Sequence, residues 1–160
     1  MKVNLIVLGK GEESYESLFR TAAKKYRGRM FVKTDFDESL SHLIYAGCDF
    51  FLMPSRYEPC GLGQMIAMKY GTIPVARRTG GLADTIQDYN HRLSTGTGFL
   101  FSDFTPEALQ NSVKRAICVF NDSRKMKKLV FDTMISDFSW KKSAARYLEL
   151  YKKAMEKVIG

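Results

Sequence analysis

The chain has 160 residues, of which 45% are hydrophobic and 12% aromatic. That is enough apolar material for one domain with a core of its own, so a disordered chain is excluded. The 25 basic and 17 acidic side chains leave a net charge of +8, which favours an anionic partner without identifying it.

The remaining composition gives no support to several classes of function. Three cysteines without a C-x-x-C pair and two histidines far apart in the chain argue against a disulfide framework and against a metal site. The basic residues form short groups without a base-stacking motif, so no nucleic-acid partner is expected. No apolar run approaches the roughly 20 residues that span a bilayer. We therefore expect a cytoplasmic protein without a membrane partner and without a bound metal.

Apolar runs that suit buried strands alternate with helical patterns along the chain. The first run, residues 3–8, is nearly continuous and predicts a strand buried on both faces. Further strands are predicted at 30–32, 50–53, 72–76 and 97–101, and helices at 14–26, 38–46, 62–70, 106–120, 123–135 and 140–158, with one or two helical turns within 82–89. Gly71 and Thr105 stand where a C-cap glycine and an N-cap residue belong. The alternation predicts the α/β class, with a Rossmann-like, mostly parallel sheet covered by helices on both faces.

Two glycine-containing loops follow neighbouring predicted strands. The first, PSRYEPCGLGQ at residues 54–64, combines a carboxylate with glycines at the start of a helix. Its free backbone N–H groups could cradle a phosphate or a sugar hydroxyl. It could equally be a tight turn with Glu58 in solvent. The second, RRTGGL at residues 77–82, opens toward the same edge of a parallel sheet, which favours a ligand cleft there.

These loops resemble a known family. Segment 54–64, with YGTIPV at 70–75 and RTGGLADT at 78–85, resembles the C-terminal domain of bacterial glycogen synthases and plant starch synthases. The resemblance extends to FDE at 36–38, YAGCD at 45–49, GTGF at 96–99 and DFSW at 137–140, and so covers nearly the whole chain. Cys60 and Ile66 stand where related glycosyltransferases often carry phenylalanine and a second glutamate, which favours this branch.

The resemblance implies the C-terminal half of a GT-B glycosyltransferase. Such an enzyme transfers glucose from ADP-glucose to the non-reducing end of an α-1,4-glucan with retention of configuration. Glu58 would be the catalytic residue that accepts hydrogen bonds from the donor glucose. Phe36 would lie against the adenine, with ordinary core packing as its alternative, and the other donor-binding residues would be Cys60, Gly61, Leu62, Gly63, Thr79, Gly80 and Gly81. No cofactor or metal is implied besides the donor substrate.

The resemblance also implies a domain organisation. Residues 1–137 would form the nucleotide-sugar-binding domain, and residues 138–160 a C-terminal helix that packs back on this domain or beyond it. The family's first strand of this domain, its basic phosphate-binding loop and its acceptor-binding N-terminal domain have no counterpart in these residues. We therefore expect a gap at the centre of the sheet and an isolated chain that is inactive. The alternatives are a catalytically silent nucleotide-binding or assembly module and a related UDP-sugar transferase domain.

Overall fold

The structure, a computed structural model, describes residues 3–159. The chain forms two compact units, Met1–Cys48 and Asp49–Gly160, hereafter the N-terminal and C-terminal units. Both units alternate strands with helices, and the strands form two parallel sheets rather than one continuous sheet. The α/β class and the parallel strand direction predicted from the sequence are confirmed.

The N-terminal unit contains a two-stranded parallel sheet. Its elements are β1 (Leu5–Leu8), α1 (Glu13–Lys25), β2 (Met30–Lys33) and α2 (Glu38–Gly47). The prediction that the first strand is buried on both faces is wrong, because Leu5 and Ile6 are exposed and the next two residues are only half-buried. An apolar run shows that a strand can be buried, whereas its burial depends on what covers it. No described residue of this unit is fully buried.

The C-terminal unit contains a three-stranded parallel sheet in the order β3-β4-β5. Its elements are β3 (Phe50–Met53), α3 (Gly63–Tyr70), β4 (Ile73–Arg77), α4 (Gly80–Thr85), β5 (Phe99–Phe101), α5 (Pro106–Phe120), α6 (Ser123–Met134) and α7 (Trp140–Ile159). The predicted strands and long helices are all present, with small shifts at their ends. The helical turns predicted within 82–89 correspond to the short helix α4, which begins earlier, at Gly80, and ends at Thr85.

Alternation along the central strand β4 builds a core on each face of this sheet. Ile73 and Val75 join a cluster with Phe99 of β5 and with apolar residues of α5 and α6, namely Leu109, Val113, Ala116, Val119, Met126, Leu129 and Val130. Ala76 lies in a second cluster with Leu82, Ile86 and Leu100. Successive strand residues point to opposite faces, so helices cover both sides, as predicted.

Local signals fix the ends of the helices around the site. Gly71 ends α3 with φ at +84°, the left-handed conformation expected of a C-cap glycine. Thr105 Oγ accepts a hydrogen bond of 3.2 Å from the N–H of Ala108 and so caps α5. Lys69 Nζ donates to the carbonyls of Met134 and Ser136, at 3.1 and 2.6 Å, and thereby joins α3 to the end of α6.

The predicted apolar face of the last helix is exposed to solvent. Tyr147, Leu148, Tyr151 and Met155 are each more than half exposed, and so is Trp140 at the start of α7. The boundary at residue 137 and the packing of this helix stay predictions. Within residues 3–159, no helix combines the length and apolar character needed to cross a membrane.

Candidate functional site

The loop after β3 holds the half-buried Glu58 at the C-terminal edge of the sheet. This loop begins at Pro54 and leads into α3, whose first residue is Gly63. Ser55 Oγ donates to Glu58 Oε2 at 3.4 Å, which is a long hydrogen bond. The carboxylate is therefore oriented by its own loop while part of it stays accessible.

Arg77 fixes the start of this loop. It is the last residue of β4, and its Nη1 donates to the carbonyls of Ser55 and Arg56 at 3.4 and 2.5 Å. Its Nε donates to the carbonyl of Ser102 at 3.2 Å, and its guanidinium lies 5.4 Å from the centre of the Phe104 ring. The sequence analysis did not single out this role. The signal for it is an arginine that ends a central strand beside a loop rich in carbonyl groups.

The second glycine loop lies directly against the first. Gly81 N–H donates to the carbonyls of Glu58 and Pro59, at 3.0 and 3.2 Å. A Cβ at Gly80 would lie 2.1 Å from the Glu58 carbonyl oxygen, and one at Gly81 would lie 2.0 Å from the carbonyl oxygen of Cys60. Glycine is thus required at both positions for this close approach. The two loops meet at one edge of the sheet, as the parallel strand order predicts.

Between the first loop and α3, the backbone presents free hydrogen-bond donors. Gly61 has φ at +67°, which turns the chain into the helix. Leu62 is the exposed N-cap residue of α3. Within residues 3–159, the N–H groups of Leu62 and Gly63 have no hydrogen-bond acceptor. Such groups at a helix start favour an anion or a hydroxyl oxygen.

Two polar side chains that the sequence analysis did not single out lie beneath these loops. Gln64, in the first turn of α3, is fully buried, and Thr85 is the last residue of α4. Gln64 Nε2 donates to Thr85 Oγ1 at 3.0 Å. Only the tertiary structure brings them together, because they are separated by 21 positions and belong to different helices.

The remaining predicted site residues are placed as follows. Cys60 carries an exposed, free thiol in the first loop. Thr79 is the N-cap residue of α4, without a side-chain capping hydrogen bond. Phe36 belongs to the N-terminal unit, in the turn between β2 and α2, and is 83% exposed. Its alternative role in core packing is therefore wrong, while its contact with adenine stays a prediction.

Positive charge is concentrated near the two loops. Arg56, Arg77 and Arg78 form no salt bridge with a carboxylate among the described residues. Uncompensated guanidinium groups raise the local potential and suit an anionic ligand. Across the described residues, no group of three His, Cys, Asp or Glu side chains could hold a metal ion.

The sequence profile of the family described as group 1 glycosyl transferases matches residues 1–130. The chain belongs to this family. It is 47% identical to a glycogen synthase of Fervidobacterium nodosum over 98% of its length, and 49% identical to one of Moorella thermoacetica over 97%. In both cases it spans about a third of the length of the curated relative, 32%.

Solved structures agree with this assignment. The catalytic domain of starch synthase IV from Arabidopsis thaliana, bound to ADP and acarbose, is 30% identical, with a TM-score of 0.76. The match covers 98% of this chain and 39% of that structure. Sucrose-phosphate synthase from Thermosynechococcus elongatus, at 23% identity and a TM-score of 0.64, shares the fold. The resemblance to glycogen and starch synthases inferred from the sequence is confirmed.

Proposed function

We propose that this chain is the donor-binding part of a glycogen or starch synthase. In the complete enzyme it would bind ADP-glucose while glucose is transferred, with retention, to the non-reducing end of an α-1,4-glucan. The observation that carries the proposal is the 47–49% identity to glycogen synthases over almost the whole chain. The contact between the two glycine loops supports it, because the loop of Glu58 then shares one edge of the sheet with the second glycine loop and leads into the free backbone donors at the start of α3.

The first loop would bind the donor glucose. The Glu58 carboxylate accepts hydrogen bonds from sugar hydroxyl groups, and Ser55 holds that carboxylate in place. Negative charge grows on the departing ADP as the bond to glucose breaks, so donors aimed at the leaving group stabilise the transition state more than the ground state. The N–H groups of Leu62 and Gly63 at the start of α3 are suited to that task.

The remaining assignments of the proposal concern the donor and the chain's organisation. We assign Cys60, Thr79, Gly80 and Gly81 to the donor site, and Phe36 to the contact with the adenine. Residues 1–137 form the nucleotide-sugar-binding domain, and residues 138–160 the C-terminal helix. We place the enzyme in the cytoplasm, where ADP-glucose and an α-glucan acceptor would be its partners.

Donor binding is tested on the 160-residue chain itself. Nitrogen-15 labelled protein is titrated with ADP-glucose, UDP-glucose and ADP, and the amide signals are followed by NMR. As the ADP-glucose concentration rises, we expect the amide signals of Gly61, Leu62 and Gly63 to shift before those of other residues. Stronger shifts with UDP-glucose would favour a UDP-sugar transferase, and an absence of shifts with every nucleotide would contradict the proposal.

Transfer is tested in a chimaera. The chain replaces the matching third of the Fervidobacterium nodosum glycogen synthase, and incorporation of labelled glucose into glycogen is measured. We expect transfer by the chimaera and none by the isolated 160 residues. Glu58→Ala should lower kcat on the order of 100-fold, because the donor glucose loses the group that orients it for transfer. Glu107→Ala, at an exposed glutamate in α5, is the matched control. Equal rates for both variants would remove Glu58 from the site.

A further inference from the structure

The buried side-chain amide of Gln64 donates hydrogen bonds to the backbone of the first loop. Gln64 is 0% exposed, and its Nε2 donates to the carbonyl of Gly61 at 2.7 Å and to that of Cys60 at 3.2 Å. The Gln64 side chain fills the space beneath Gly61, since a Cβ there would lie 2.5 Å from Gln64 Oε1. A side chain at this position would displace the Gln64 amide, and the φ of +67° also favours glycine.

The same amide also reaches the second loop. Gln64 Nε2 donates to Thr85 Oγ1 at 3.0 Å, and Thr85 Oγ1 donates to the carbonyl of Gly81 at 2.6 Å. The N–H of Gly81 donates to the carbonyl of Glu58 at 3.0 Å. The hydrogen bonds therefore run from the loop of Glu58 through Gly81, Thr85 and Gln64 back to the same loop at Gly61.

Packing alone does not explain a glutamine at this position. A fully buried amide costs free energy unless its polar atoms are paired, and Gln64 Oε1 has no partner within residues 3–159. A leucine or methionine would fill a similar volume without this cost. Gln64 Nε2 bonds two carbonyls of the first loop and the hydroxyl of Thr85, which itself donates to Gly81 of the second loop. We therefore attribute the presence of a buried amide here to the hydrogen bonds by which it fixes the shape of these loops.

Because the peptide group is planar, a hydrogen bond that fixes its carbonyl also fixes the direction of its N–H. In a trans peptide the C=O of one residue and the N–H of the next point in opposite directions. The carbonyls of Cys60 and Gly61 point toward the Gln64 side chain, which donates to both. The N–H groups of Gly61 and Leu62 therefore point away from it. The proposed function assigns the N–H of Leu62 to the donor, and Gly61 is one of the residues whose amide signal it expects the donor to shift.

We propose that Gln64 and Thr85 are positioning residues that aim the backbone N–H groups of Gly61 and Leu62 at the donor. The proposal rests on the donor-binding function proposed for this loop. Without the amide and the hydroxyl, the two peptides are free to rotate, and binding must first order them. Rotation of a peptide by even part of a turn removes a hydrogen bond to the ligand, and misplacement of about 1 Å can cost on the order of 100-fold in rate.

The experiment compares conservative threonine variants of the 160-residue chain. Thr85→Val removes the hydroxyl at nearly constant shape, and Thr85→Ser restores it. Thr133→Val is the matched control, because Thr133 is also a threonine whose Oγ1 donates to a carbonyl, that of Thr97, at 3.3 Å, away from both loops. The Kd for ADP-glucose is measured by NMR titration, and the free energy of unfolding by urea denaturation.

We expect Thr85→Val to raise the Kd about tenfold, which corresponds to about 1.4 kcal/mol. Thr85→Ser and Thr133→Val should stay within about twofold of the parent chain, even where Thr133→Val lowers stability as much as Thr85→Val does. Gln64→Met should raise the Kd further than Thr85→Val. Equal effects of the two valine variants on Kd, or a Thr85→Ser variant as weak as Thr85→Val, would overturn the positioning role.

A second readout requires no ligand. Amide exchange and residual dipolar couplings report the order and direction of the N–H groups of Gly61 and Leu62 in the free chain. Thr85→Val should disorder these two amides and leave those of β4 unchanged. If the parent chain binds no nucleotide sugar, the proposed function fails while this measurement still decides the positioning role. If the parent binds and the variant keeps ordered amides, only the positioning role fails.

Discussion

The two units share the same alternation of strands and helices but differ in burial. In the N-terminal unit, no described residue is fully buried, and large apolar side chains such as Phe31 and Leu43 are exposed. In the C-terminal unit, two clusters of buried side chains lie on the two faces of a three-stranded sheet. A β-α repeat therefore produces a core only where helices cover both faces of a strand. A two-stranded sheet is at best marginally stable alone. The stability of this chain should therefore reside in its C-terminal unit.

The largest test of this contrast compares two strand phenylalanines. Phe99 is 0% exposed in β5, whereas Phe31 in β2 is 51% exposed. We expect Phe99→Ala to lower the free energy of unfolding by about 3–5 kcal/mol, because it leaves a cavity in a packed core. Phe31→Ala should cost less than about 1 kcal/mol. Urea denaturation followed by circular dichroism measures both, and similar losses would contradict the contrast.

Hydrogen exchange sharpens the comparison without a mutation. Amides of β4 are covered on both faces and should exchange only through global unfolding. Amides of β1 should exchange at least about a hundredfold faster, because a sheet without a buried core opens locally. Mass spectrometry of peptic fragments resolves the two segments. Equal protection of β1 and β4 would show that the units unfold together.

The fold was largely predictable because its signals are local. The limits of α5 were predicted as found, since proline at the first helical position and the Thr105 cap mark its start. Gly71 was predicted from its place after an apolar helix. The burial of β1 was wrongly predicted, because periodicity describes a strand and not what lies on it. The division into a two-stranded and a three-stranded sheet agrees with the gap expected at the centre of the sheet.

The candidate site was predictable only in part. Strand order alone predicts that the loops of Glu58 and Gly80 share one edge of the sheet, and they do. The supporting side chains were missed. Arg77 donates to the carbonyl of Arg56, and Gln64 to the hydroxyl of Thr85, each across 21 positions of sequence, and no local pattern records such a bond.

A third prediction concerns how the C-terminal unit orders its loop. Arg77→Lys should lower the free energy of unfolding by about 1 kcal/mol, because a lysine cannot reproduce the planar fork that bonds three carbonyls beside the Phe104 ring. Exchange of the amides at 56 and 57 should quicken while β1 is unaffected. Arg78→Lys is the matched control at the adjacent exposed arginine. A loss as large in the control would show that the three carbonyl bonds of Arg77 make no specific contribution to stability.

The smallest effect distinguishes two capping aspartates, one in each unit. Asp37 caps α2 through the N–H of Leu40, and its other oxygen accepts from Lys33 at 2.6 Å. The hydrogen bond from the Lys33 side chain, and next the one from the Leu40 N–H, hold the pKa of Asp37 below its ordinary value. For Asp122 the order differs, because the hydrogen bond from the backbone N–H of Lys125 is the largest cause of its lowered pKa. A carboxyl group whose pKa is lowered by folding contributes stability at pH values above its unfolded pKa of about 4, and this stability is lost as pH falls through the folded pKa.

Lys33→Met should therefore raise the pKa of Asp37 toward its ordinary range and leave that of Asp122 unchanged. Carbon-13 NMR titration of both carboxyl groups measures this. The change in stability should be small, because the pair is exposed. An unmoved Asp37 pKa would mean that the helix cap, and not Lys33, holds it below its ordinary value.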